Sequence, residues 1–224
     1  MHNSMNFPKL ALAPLLAMLI TSALAQPRPP EVDLRPAPRH ADGRITFGPT
    51  EGGAGFWARR TANLVINPNS YEARATQSSP IHIDDVPLQP WALAMTDSRH
   101  SLYLASEPYT RCKPAGGPRQ IMSPYGFEIV DIPDLQRVYI ITTSNAMTYR
   151  IVYMDGREHP ANLKPTYFGH SAGHWEGDAL VVDTVGINER SWMSRDGLPS
   201  TDLLHLTERF TRPNYSTMNY EVVI

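Results

Sequence analysis

Residues 169–184, GHSAGHWEGDALVVDT, gather two histidines, a glutamate and two aspartates in one short segment. On a helix, His170 and His174 would project from one side and suit zinc, because four residues make about one turn. Gly169, Gly173 and Gly177 argue against a helix, and Val181, Val182 and Val185 favour a pleated surface. The segment therefore reads as a β-hairpin, with Glu176-Gly177 as its two-residue turn and glycine taking the positive φ. Along a strand His170 and His174 lie about 13 Å apart. A zinc ion that binds nitrogen at about 2.1 Å cannot bridge them.

The hairpin brings other groups together. With the chain reversing at Glu176-Gly177, His174 opposes Ala179 and His170 opposes Asp183, with Cβ atoms about 5 Å apart. Asp183 would then fix the tautomer of His170 and raise its basicity, as acid/base work requires. The plainer alternative is a solvated pair on an outward face. Trp175, Leu180, Val182 and Thr184 share one side, which has the character of a core. His170, His174, Val181 and Asp183 share the other, which could line the lumen of a barrel closed around a ligand.

Working outward from the hairpin, short runs rich in β-branched and aromatic residues recur: FEIVDI (127–132), QRVYIITTS (136–144), MTYRIVYMD (147–155), LHLTERFTR (204–212) and MNYEVVI (218–224). An earlier strand is expected near Phe56–Ile66. Such close spacing leaves no room for crossover helices. A mainly β domain is expected, an antiparallel meander closed into a barrel or sandwich and lipocalin-like in outline. One helix is expected near residues 90–105, where Pro90 can occupy the first turn and Ala92, Met95, Leu102 and Ala105 follow the helical period.

Further candidates follow from the alternation within these strands. Glu208 falls on the side of Leu206 and Phe210, so it is expected to be buried with an Arg or His partner, as a structural ion pair or a catalytic carboxylate. Tyr149, Ile151 and Tyr153 form a stripe. Tyr149, Tyr153 and Trp175 could stack on an aromatic ligand or simply pack across strands. The turn DGREHP (155–160) leaves His159 exposed. The catalytic candidates are His170, Asp183, Glu208 and His174. No cofactor is expected, and the metal reading is a minor one: calcium or zinc held through Asp178, Asp183 or Glu208.

The N-terminus MHNSMNFPKLALAPLLAMLITSALA reads as a signal peptide over residues 1–25: Lys9, a short apolar run, then Ala23-Leu24-Ala25. The mature chain is expected to be exported, and periplasmic in a Gram-negative host, with no later segment able to span a membrane. Residues 26–47 read as a proline-rich, poorly ordered leader. Residues 48–224 read as a single β-rich domain, with 42% hydrophobic residues across the chain to build a core. The strand YEVVI at the end is expected to pair with something unusual or to belong to a truncated form. A net charge of −2 without a basic block argues against nucleic acid. Cys112 is the only cysteine, which excludes an internal disulfide framework.

The blocks PLQPWALAM, RCKPAGGPR, YMDGREHP, GHSAGHWEGDALVVDTVGIN and LHLTERF resemble a family of uncharacterised secreted bacterial proteins, from about Val86 to the end. The Gly-His-Trp-Glu-Gly-Asp block is distinctive. The chain departs from the family at Ala179, where Thr is usual, and at Ile187, where an aromatic is common. The resemblance implies export and a shared fold, and it carries no activity. Three functions are open to such a chain. The leading expectation is a hydrolase or lyase acting on a small molecule with His170 and Asp183. The second is a non-catalytic carrier of an apolar or aromatic ligand, and the third an envelope interaction protein.

Overall fold

The computed structural model describes residues 32–48, 55–58, 85–102, 105–122, 125–143, 148–195 and 197–224. The signal peptide and residues 59–66 of the expected first strand lie outside these. The domain is mainly β, as expected: among the described residues there is one curled, eight-stranded half-barrel sheet and a single helix of more than two turns. The strands are β1 (Phe56–Trp57), β2 (Phe127–Ile132), β3 (Arg137–Thr142), β4 (Tyr149–Tyr153), β5 (His170–Glu176), β6 (Ala179–Val185), β7 (Leu206–Thr211) and β8 (Asn219–Val223). They lie side by side in sequence order, and β1 does not pair with β8. An open seam therefore separates the first strand from the last.

One pairing departs from the expected antiparallel meander. β4 and β5 run parallel, with Val152 opposite Ser171 and Tyr153 opposite Ala172. A parallel pair needs a long return path, and Met154–Gly169 provides it. That connection carries His159, so the exception to the meander also delivers a site residue.

Alternation sets the inner face. Ile129, Ile140, Val152, Leu180, Val182 and Phe210 point inward and are at most 1% exposed. Residues 32–47, part of the expected leader, contribute side chains to this packing. Ile45 and Phe47 enter the same core, and Phe47 stacks on Trp175 with ring centroids 6.1 Å apart. Burying each of these two side chains contributes about 1.5–3 kcal/mol towards holding the segment against the sheet.

The helix, α1, spans Pro90–Ser101, with Pro90 in its first turn and Arg99 and His100 in its last. It docks through Ala92 and Thr96, while Trp91, Leu93, Met95 and Leu102 remain exposed. The expected Met95 and Leu102 stripe is thus not its buried face. A single turn, α2 (Pro118–Ile121), is buried throughout. Gly116 before it admits no side chain: a Cβ there would lie 1.6 Å from the Tyr167 carbonyl oxygen.

Candidate functional site

Two features stand out, one on each side of the sheet. The first grows from the β5–β6 hairpin. Its turn is Gly177-Asp178, flanked by the pair Glu176 and Ala179, with Gly177 at φ +59°. Arg39 holds the Asp178 carboxylate at 2.6 and 2.8 Å. The register thus differs by two from the one expected. His170 opposes Val185, and Asp183 opposes Ala172. A shift of two preserves the faces, so His170 and Asp183 still share the outer one.

His159 fills the gap between them. Its Nδ1 lies 2.8 Å from His170 Nδ1, and its Nε2 lies 2.8 Å from Asp183 Oδ2. His205, just before β7, reaches Asp183 Oδ1 at 2.5 Å. The four groups form a chain. Partial burial works to raise the Asp183 pKa, but the hydrogen bonds from His205 and His159 outweigh it and hold the carboxyl below its usual range. Where His159 donates Nε2–H to the carboxylate, its Nδ1 can accept from Nδ1–H of His170. This leaves the Nε2 lone pair of His170 unshared within the chain. Burial, followed by His159 and Arg157, keeps the His170 pKa below its ordinary value against the opposing pull of Asp155. Tyr153 stacks on His170 at 5.1 Å between centroids, and Arg157 lies 3.9 Å above the Tyr153 ring.

The other sequence candidates fall elsewhere. His174 and Arg209 hold Glu176 on the exposed outer face, apart from the chain. Glu208 is on the opposite, inner face with no exposure, bonded to Arg150 at 2.5 and 3.1 Å and to the Tyr220 hydroxyl at 2.9 Å. It cannot act beside His170. Tyr149 is exposed against Tyr139, and Trp175 sits inward, so Tyr149, Tyr153 and Trp175 do not line one cavity. Among the described residues, no group of three His, Cys, Asp or Glu side chains is arranged to hold a metal ion. Cys112 is free and exposed.

The second feature is a cleft of ≈ 1220 Å³ at the open seam. Trp57 of β1 and Phe127 of β2 face Tyr220 and Val222 of β8 across it. Met122 and Leu88 are among the side chains that close it. The cleft reaches His205, so the two features touch at one residue. Against known proteins, the chain matches no family model, no curated protein and no solved structure. Function is therefore read from geometry alone.

Sequence reasoning placed His170 and Asp183 on one face but missed His159, His205 and the cleft. Alternation offers no signal for His159, which lies in a connection outside the strands. The cleft arises from strands far apart in the chain, and only the count of strands in an unclosed sheet could have suggested it.

Proposed function

We propose that this protein is an exported small-molecule carrier that takes an apolar ligand into the seam between β1 and β8. The observation that supports this reading is the cleft itself: a concave volume walled by aromatic and aliphatic side chains, large enough to enclose a drug-sized or lipid-sized molecule. Binding is driven by removal of apolar surface from water, and the buried core behind Phe127 gives the cleft a rigid wall. The test is titration with N-phenylnaphthylamine, an uncharged probe that brightens in apolar surroundings. Saturable binding to the native protein is expected, with loss in Met218→Trp and Val222→Trp while thermal unfolding stays unchanged. Equal binding in all three proteins would place the ligand elsewhere.

A second reading, a hydrolase or lyase, is favoured by the chain from Asp183 through His159 to His170, which orients an imidazole with a free nitrogen as a general base needs. It ranks below the carrier because the chain lies on the outer face. The Asp183 and His205 side chains are 37% and 59% exposed, where water is not excluded from the reacting groups. Turnover lost in His170→Ala and Asp183→Asn, yet kept in Val222→Trp, would reverse that ranking.

A further inference from the structure

A second cavity adjoins the seam cleft. It has a volume of ≈ 560 Å³, and Trp91, Ser200 and Thr201 belong to the walls of both. Its character is different. Four cations line it, Arg99, Arg111, Lys113 and Arg190, against one carboxylate, Glu189. Elsewhere many arginines find counter-ions: Arg35, Arg39, Arg44, Arg157 and Arg209 each hold an Asp or Glu, whereas Arg212 is held by carbonyl oxygens. Among the described residues, none of the four pocket cations has a carboxylate partner.

Two of the four are nonetheless held in place. Arg99 donates to the Gly197 carbonyl at 3.0 Å and lies 4.8 Å over the Trp192 ring. Arg111 donates to the Ala105 carbonyl at 2.5 Å. Neutral carbonyls and a ring face position these guanidiniums without neutralising them. Burial lowers the Arg99 pKa, with no opposing contribution from a nearby acid. Four like charges around one concavity repel one another, and an anion placed among them relieves that repulsion.

Resting on the carrier reading, we propose that the ligand is a free anionic amphiphile, with its apolar chain in the seam cleft and its acidic head in the basic pocket. Trp91, exposed at the start of α1, stands where chain and head would meet. The cleft supplies affinity for the chain. The pocket supplies the preference for an acid over a neutral molecule of the same length, because a carboxylate or similar head can accept charge-assisted hydrogen bonds from the guanidiniums. Lys113 and Arg190, exposed at the pocket, add attraction that salt would screen.

The test compares dodecanoate with dodecanol, both below aggregation, by intrinsic tryptophan fluorescence of the full chain; Trp57, Trp91 and Trp192 all lie at the two cavities. Dodecanoate is expected to bind about tenfold more tightly than dodecanol, one charge-assisted contact's worth, and the ratio should fall as salt is raised. The double variant Lys113→Gln/Arg190→Gln should weaken dodecanoate and shrink the ratio towards one. Arg209→Gln on the outer face should leave dodecanoate affinity as it was. Equal affinity for acid and alcohol would overturn the anionic head while leaving the carrier intact. Binding of neither would overturn the carrier as well. A ratio unmoved by the double variant, or association with anionic vesicles in place of free dodecanoate, would also overturn the proposal. So would a dimer sealed across the seam.

Discussion

Two polar clusters stand back to back on the two faces of one sheet. On the inner face, Glu208 of β7 meets Arg150 of β4, reaching across β5 and β6, and Tyr220 completes its shell. On the outer face, one residue along from the Val182 that Glu208 opposes, Asp183 meets His159 and His205. Both centre on a carboxylate. They differ in what surrounds it. The inner pair is 1% and 0% exposed, with both carboxylate oxygens aimed at protein donors. The outer chain ends at an imidazole nitrogen that the cluster leaves free. Burial, and a carboxylate bonded through both oxygens, make the first a strap across the half-barrel, and the open end makes the second available for chemistry.

The largest effect should come from breaking the strap. Burial alone would lower the Arg150 pKa, but Glu208 more than reverses this, so the guanidinium stays charged in the core. Glu208→Leu leaves that charge without a partner and should cost about 3–5 kcal/mol, read from urea denaturation. Adding Arg150→Met should restore most of the loss, since an apolar pair of similar volume removes both desolvation penalties. A single variant as stable as the parent would mean that water reaches the pair, and the contrast between the two clusters would vanish.

The outer chain should respond to pH by a smaller amount. Its two perturbed groups both have folded pKa values below their ordinary ones. For His170 the unfolded imidazole takes up its proton first as pH falls through 6.5. Stability is therefore fully present above that value and declines below it, until the folded pKa is passed. Asp183 adds stability above its ordinary 3.8 that is lost as pH falls through its depressed folded value. Acidification should show two descending limbs, each below ~1 kcal/mol because the groups are partly solvated. His170→Gln should remove the upper limb and keep the lower. An upper limb that persists would belong to another histidine.

The strands were legible because their chemistry is local: Leu180, Val182 and Thr184 alternate with Val181, Asp183 and Val185, and that alternation is the pleat. The single helix was legible from Pro90 and the good helix formers after it, yet its buried face was not. Ala92 and Thr96 are small residues whose burial depends on what packs above them. Register failed at Glu176-Gly177-Asp178, where either dipeptide offers a glycine to a tight turn. The anchor at Asp178 is Arg39, far away in sequence. His159 was hidden for the same reason, because its partners are reached by a parallel pairing that no local pattern announces. Glu208 was read as buried from its neighbours, and the identity of its partner awaited the fold.

The smallest effect tests whether a visible ion pair on the outer face matters at all. Arg209 reaches Glu176 at 2.5 Å, and His174 reaches the other oxygen at 3.1 Å. Hydrogen bonds from Arg209, then from His174, lower the Glu176 pKa. All three side chains are well exposed, so ordering them offsets most of the attraction and salt screens the remainder. Arg209→Ala should therefore move the melting temperature by no more than the scatter between repeats, and less at high salt than at low. It shares its sheet with Glu208 and is as close to its carboxylate as Arg150 is to its own. A melting temperature that fell as far as in Glu208→Leu would show that distance, and not burial, ranks the ion pairs of this half-barrel.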